Sequence, residues 1–387
     1  MRWRRIYLDY ASGFAGNPSS AHADGRAARR RLEDARTRIA RLVEAKPDDV
    51  IFTSGATEAN ALAILGVMRA AAKRRGELDA QHTSSGQPLR VLYLPGSHSS
   101  IVENVRAAAE ETGARAEPLP LDGAQVDCTA LARLLIAGSP TLVTMEAVCG
   151  ETGVIWNTRE VHHTLVAGTR MGIAPSLLHV DASQAPFVEK LSRAHFGADL
   201  LTLDGAKVGT EHRIGCLVAA RTISIDPLYY GGSQERGLRP GTEDVRGAWK
   251  FSRNLSFAAA HREHFLQKAT GLRARLIADI ERMVPGVRIT SGVFQAPHIV
   301  NLSLPGRDTD YLVALLDEAG FSVSTKSACE TDSVEGSRAV FALFGDRDRA
   351  LSTLRLSWGP HTNARELARF ARALGDAVAF IDASALR

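Results

Sequence analysis

Lysine is scarce in this 387-residue chain. Of its 47 Lys and Arg residues only seven are lysines, so surface charge is carried mainly by arginine. Lys207 stands out among the seven because it follows an apolar strand-like run in "LLTLDGAKVG" (200–209). Lysine differs from arginine in one chemical respect: it can lose its proton and form a Schiff base with a carbonyl. Cysteine is scarce too. Cys128, Cys149, Cys216 and Cys329 are the whole set, and no two stand at CxxC spacing. That spacing excludes a disulfide framework and argues against structural zinc, and it fits reduced thiols in a cytoplasmic protein. No apolar run reaches membrane-spanning length, and "MRWRRIYLDYASG" at the N-terminus is basic but has no apolar signal core. No internal repeat is present.

The remaining composition, 45% hydrophobic and 23% charged with a net charge of +4, is that of a globular protein with room for a large and a smaller domain. "RAARRRLEDARTRIARL" (26–42) resembles a basic patch. Glu33 and Asp34 interrupt it, however, and its apolar residues recur at helical spacing, so it reads as a solvated helix face and not as a nucleic-acid site.

Six short apolar segments read as strands: 48–55, 91–96, 141–148, 176–183, 199–205 and 214–220. Helical periodicity lies between them, as in 58–75 and 100–113. Such alternation predicts a mostly parallel sheet covered on both faces. The polar stretch 74–90 reads as a surface insertion. From about residue 250 the pattern changes to one or two long helices (246–284), then "HIVNLSLPG" (298–306), a helix over 310–320, the small polar stretch 323–333, "LRLSWG" (354–359) and a final helix from Ala364. The expected division is a large α/β domain over 10–250 and a small α+β domain over 251–387, joined by residues 1–9.

Ligands of open parallel sheets bind at the C-terminal strand ends, and three polar signals fall there. "VIFTSGATEAN" (50–60) is strand, glycine turn and helix start, with Ser54, Gly55, Ala56 and Thr57 placed to hold an anion such as a phosphate. "LLHVDASQ" ends a strand on Asp181, either a helix cap or a partner for a cation such as a protonated pyridine nitrogen. Lys207 comes 26 residues later, at the end of the next predicted strand. A phosphate cradle, an aspartate and a lysine in that order are the parts that hold pyridoxal 5′-phosphate.

With these motifs on hand, the chain resembles the class V aminotransferases, of pyridoxal-phosphate fold type I, and among them the cysteine desulfurases. The resemblance rests on "YLDYAS", "GNPSSAH", "IFTSGATEAN", "HVDASQ", "GGSQERGLRPGT", "SACETDSVEGS" and "LRLSWG". It implies that Lys207 carries the cofactor, that Asp181 meets the pyridine nitrogen and Gln184 the phenolic oxygen, and that His98 stacks on the ring and moves protons. It further implies that Ala56 and Thr57 hold the phosphate with Thr242 of a second subunit, that Arg355 clamps the substrate carboxylate, and that Cys329 is the nucleophile. Small polar "STKSACETDS" also suits an exposed reactive thiol, whereas Cys216 in "IGCLVA" suits a buried one. The implied reaction converts L-cysteine to L-alanine with a persulfide on Cys329, passed on to a sulfur-acceptor protein, in a homodimer. Two other readings fit the same residues: a non-catalytic paralogue acting as partner or sulfur carrier, or a related class V enzyme such as a selenocysteine lyase.

The chain departs from the family pattern at several points. Asp204 and Ala206 stand where a serine and a histidine usually support the phosphate. Gly150 replaces an asparagine. "VGTEHRIG" (208–215) replaces a glycine-rich run after the lysine. The segment between "YLDYAS" and "GNPSS" is short.

Overall fold

The computed structural model describes residues 6–13, 16–80, 88–138, 140–325 and 336–385. Seven strands form the central sheet: β1 (Val50–Thr53), β2 (Arg90–Tyr93), β3 (Arg115–Pro118) and, after a small hairpin of β4 (Leu121–Asp122) and β5 (Gln125–Val126), β6 (Leu142–Glu146), β7 (Leu177–Asp181), β8 (Leu200–Asp204) and β9 (Gly215–Ala219). Their spatial order is β1-β9-β8-β7-β6-β2-β3. All neighbours are parallel except β9, which runs against both β1 and β8. The fold is therefore the expected mixed α/β architecture, and the six strand segments read from sequence are all present.

Helices cover both faces. They are α1 (Ala23–Leu42), α2 (Ala56–Ala61), α3 (Val67–Ala80), α4 (Ser99–Thr112), α5 (Cys128–Ile136), α6 (Thr158–Arg170) and α7 (Arg193–Phe196). Alternate strand residues explain the two-sided burial. Phe52, Val143, Val180 and Leu201 face one core with Leu32 and Ile39 of α1, while Ile51, Leu142, Leu200 and Leu217 face another with Leu62, Met68 and Val105. The 26–42 segment behaves as its spacing predicts, since α1 buries Ala28, Leu32, Ala35, Ile39 and Ala40 and leaves most of its arginines outside. Residues 74–80, expected in a surface insertion, instead extend α3. Between α2 and α3 the helix passes through one π turn, Leu62–Gly66. The chain also carries an edge strand, β3, that the sequence reading missed, because "RAEP" is largely exposed and lacks a periodic apolar signal.

A single helix, α8 (Val245–Met283), spans 39 residues, or about 58 Å. Its first half buries Ala248, Phe251 and Leu255 against the seven-stranded sheet. Its second half buries Leu272, Leu276 and Ile280 in a separate core. That core belongs to a three-stranded antiparallel sheet of β10 (Arg288–Ile289), β11 (Ile299–Ser303) and β12 (Thr353–Ser357), covered by α9 (Thr309–Glu318) and α12 (Ala364–Ala385). Two short helices, α10 (Arg338–Phe344) and α11 (Arg347–Leu351), precede β12. Thus α8 sets the distance between the two sheets, and with it the position of β12 relative to β8. Among the described residues no helix is long and apolar enough to cross a membrane.

Candidate active site

A cavity of about 290 Å³ opens at the C-terminal ends of β1, β2, β6, β7 and β8. Ala56, Thr57, His98, Asp181, Gln184, Lys207 and Arg355 all line it. Residues separated by up to 299 positions in the chain thus meet in one place. The other expected site residues are Thr242 and Cys329. Thr242 is exposed outside this cavity, and Cys329 lies outside the described residues.

Asp181 ends β7, and little of it reaches solvent (7% exposed). Both its oxygens accept hydrogen bonds: Oδ2 from Asn60 Nδ2 at 2.7 Å and Oδ1 from the Ser183 N–H at 2.9 Å. These two bonds fix the direction of the carboxyl group. Asn60 also donates to Ser100 Oγ at 2.9 Å, so it ties α2 to the start of α4. It was not singled out from the sequence, although it ends the "GATEAN" motif, because a mid-helix asparagine has no local signature.

Lys207 lies three residues past the end of β8, on a single turn of 3₁₀ helix (Ala206–Val208) and not on the strand itself. Its side chain is exposed to the cavity. His98 caps α4: its Nδ1 accepts from the Ser100 N–H at 3.2 Å and lies 2.8 Å from Ser100 Oγ.

The β1 end forms the opposite wall. Gly215 of β9 pairs with both Thr53 and Asp204, which brings the β1 turn beside the end of β8. A Cβ on Gly215 would lie 2.7 Å from the Gly55 carbonyl carbon, so only glycine allows this approach. Ala56 and Thr57 open α2 immediately afterwards. Glu58 in that first turn accepts from Tyr229 Oη at 2.9 Å and Arg239 Nε at 3.2 Å, which fastens the 229–242 segment to it. The same segment is held a second time by Glu235. Its carboxylate takes a bidentate pair from the buried Arg36 (2.9 and 2.6 Å) and the Phe52 N–H (2.8 Å). Glu235 and Arg236 both have left-handed backbones (φ 46° and 65°), each costing on the order of 1 kcal/mol, within the segment these contacts hold. "SQERGLRPGT" is thus a clamped loop, and Thr242 sits at its exposed end.

Arg355 reaches the cavity from β12. Its Nη1 donates to the Gly150 carbonyl (3.4 Å) and its Nη2 to Ser324 Oγ (3.1 Å). Of five N–H donors in a rigid fork, the remaining ones can meet a carboxylate. The glycine at 150 has a local reason. A Cβ there would stand 2.8 Å from Gln184 Nε2, so the asparagine usual in the family would displace the Gln184 amide.

The cavity is rich in acid: Asp204 was expected near it, Glu146 and Glu151 were not. Asp204 lines it, half-buried, with Oδ1 accepting the Ala206 N–H at 3.0 Å. Burial pushes its carboxyl up from the ordinary value, against the opposing pull of Ala206 and Lys207. Glu146, Cys149 and Glu151 line it as well.

The residues present fit a pyridoxal phosphate on its ring side. An oriented anion at Asp181, an amine at Lys207 and the buried, unpartnered hydroxyl of Ser183 share one small cavity. For the phosphate this chain offers the start of α2 and Thr57, in a cavity that Asp204 also lines.

Residues 5–370 match the family model described as Aminotransferase class-V. An IscS-like cysteine desulfurase of Mycobacterium tuberculosis is 31% identical, over 90% of this chain and 85% of its own length. A cysteine desulfurase IscS 1 of Archaeoglobus fulgidus is 27% identical, over 95% and 91%. A solved structure of a NifS-like protein superposes with a TM-score of 0.81 at 23% identity, covering 94% of this chain and 92% of that one, a likeness of fold. The strand order, the cavity at the strand ends and a match over nearly the whole sequence agree: the chain belongs to the class V aminotransferase family.

Proposed function

We propose that the protein is a pyridoxal-phosphate-dependent cysteine desulfurase that releases L-alanine and leaves the sulfur of L-cysteine as a persulfide on Cys329. The observation that carries this reading is the convergence of Lys207, Asp181, Gln184, His98, Thr57 and Arg355 on one cavity. Its relatives' names give the substrate. When bound, pyridoxal phosphate supplies an electron sink for bonds at the substrate Cα. The chain's own residues do the rest. Lys207 Nζ tethers the cofactor and shuttles the Cα proton. Asp181 keeps a proton on the pyridine nitrogen, and Gln184 donates to the phenolic oxygen. His98 covers the ring and takes part in proton transfer. Arg355 grips the substrate carboxylate through its fork. The Cys329 sulfur then attacks the substrate sulfur: one S–S bond forms, the C–S bond breaks, and the carbon takes a proton to become the alanine methyl.

In this reading residues 10–250 form the cofactor-binding unit, and 251–387 with 1–9 form the smaller unit that brings Arg355 and the Cys329 stretch to it. The active form is a homodimer, with Thr242 completing the phosphate site of the opposite subunit; the clamped 229–242 loop suits that role. The sulfur acceptor is a separate protein. The test is incubation with cofactor, L-cysteine and a thiol reductant, with sulfide and alanine measured together. Equal amounts of both support the proposal. Absence of both, with no visible band on adding cofactor, favours the non-catalytic paralogue instead.

Asp204 and Ala206 give this proposal a sharper check. Replacing both with the usual residues, Asp204→Ser with Ala206→His, removes an acid and adds up to two donors at the phosphate end. Each charge-assisted bond contributes about 1–3 kcal/mol. Equilibrium titration with pyridoxal phosphate should show tighter binding by tenfold or more. Unchanged or weaker binding would mean that Asp204 does not face the phosphate.

A further inference from the structure

Glu146 ends β6 in register with Asp181 at the end of β7. Opposed residues of parallel strands project to the same face, so two carboxyls stand side by side on the cavity floor, both nearly inaccessible to solvent (5% and 7% exposed). Asp181 has partners on both oxygens. Glu146 does not: Oε2 accepts the His98 N–H at 3.3 Å, and Oε1 is buried without a hydrogen-bond partner. Two adjacent anions, one of them with an unpartnered oxygen, would be costly in a buried site. The arrangement is relieved if Glu146 carries a proton.

From these contacts we infer that Glu146 is a positioning residue: a neutral carboxyl that anchors the main chain of His98 and leaves Asp181 as the one anion beneath the bound ring. This rests on the cofactor-binding role proposed above. Burial, followed by the neighbouring charges of Asp181 and Glu151, pushes its acid up to about 8, although the Cys149 thiol and the His98 N–H oppose the shift. The other charged or titratable groups around it are Cys149 and Glu151 on its own loop, the His98 imidazole from the β2–α4 turn, Asp204 and Lys207 from the β8 turn and Arg355 from β12. Cys149 does not titrate in this range, because burial first and the charges of Glu146 and Glu151 next hold its thiol well above its ordinary value.

The sign of the effect follows. An acid with a raised value in the folded protein contributes fully to stability below its ordinary 4.5, and that contribution is lost as pH rises toward 8. Above that, an ionised Glu146 adds a second negative charge beside a cofactor whose phosphate makes it anionic overall, and affinity falls.

The experiment compares wild type, Glu146→Gln, Glu146→Met and Glu146→Ala. Melting of each apoprotein from pH 5 to pH 9 needs no cofactor. The wild type should lose several degrees relative to Glu146→Gln or Glu146→Met across that span. Pyridoxal phosphate titrations at pH 6.5 and pH 9 give the second reading. The ratio of wild-type to Glu146→Gln affinity should fall about three- to tenfold between the two, while Glu146→Ala, which loses the His98 anchor, should bind more weakly than Glu146→Gln at both. Parallel melting profiles, or an affinity ratio that does not change with pH, would overturn the inference. So would a Glu146→Ala variant that binds as well as Glu146→Gln. If the wild type takes up no cofactor at all, the proposed function fails, and the melting profiles alone still decide whether Glu146 holds its proton.

Discussion

Lys207→Ala should leave a protein that folds but gives no visible cofactor band that borohydride can bleach, and its sulfide release should fall by at least about 10²–10⁴-fold. The amine is the group that can condense with an aldehyde, and its position decides which lysine does so. Lys207 is the lysine in the wall of the cavity that contains Asp181. Other described lysines are engaged elsewhere: Lys190 with Glu44 at 2.9 Å, Lys73 with Asp226 at 3.5 Å, Lys250 with Glu211 at 3.4 Å, and Lys268 with the Pro360 carbonyl at 2.7 Å. None of these appears in the cavity wall. Lys207 is exposed and sits on one turn of 3₁₀ helix. Its loss should therefore change melting by little, within the ±0.5 kcal/mol usual for an exposed position. The measurement is absorbance before and after borohydride, with mass spectrometry of the reduced protein. A variant that retains a reducible covalent adduct would take Lys207 out of the role, and a variant that unfolds would show that the lysine loop is structural.

Six of the seven sheet strands were legible because they are short apolar runs buried on both faces, most of them closed by glycine, aspartate or serine; the exposed edge strand β3 was not. The ends of β1, β7 and β8 were legible because polar residues interrupt those runs abruptly at Ser54, Asp181 and Asp204. Glu146 was not. In "TLVTMEAV" a single glutamate inside an apolar strand reads as an ordinary strand residue, and only the register with β7 puts it beside Asp181. Asn60 escaped for the same reason: its value lies in reaching Asp181, 121 positions away. Gly150 was legible as a departure from the family, but its cause, the nearness of the Gln184 amide, is a tertiary fact. The turn of π helix and the extension of α3 over 74–80 carry no strong local signal, since "RRGELDA" has helix formers around a glycine and is polar enough to pass for a loop. Local chemistry could be read along the chain. Pairings across the sheet could not.

Cys329→Ser should separate substrate binding from sulfur removal. Binding of L-cysteine draws on Lys207, Asp181 and Arg355 and needs no protein thiol. Cleavage of the C–S bond needs a sulfur nucleophile that can reach the substrate, and a serine hydroxyl is far too weak at neutral pH. The variant should therefore give a spectral change on addition of L-cysteine yet release no sulfide and no alanine beyond the level of a Lys207→Ala control. The described cysteines sharpen the argument. Cys149 lines the cavity, but burial holds its thiol protonated, and its Sγ accepts the Thr152 N–H at 3.4 Å. Cys216 is fully buried on β9, and burial also raises its thiol. Cys128 opens α5 away from the cavity, its thiol raised chiefly by partial burial. Thiolates do this chemistry, and in all three the environment opposes thiolate formation. Cys149 is the informative competitor, because it is already inside the site. A Cys149→Ala enzyme should retain sulfide release within a few-fold, and Cys329→Ser should not. Full activity in Cys329→Ser with loss in Cys149→Ala would move the sulfur to the buried thiol. Loss in both would make Cys149 part of the scaffold that holds the cavity floor, with Cys329 still the acceptor.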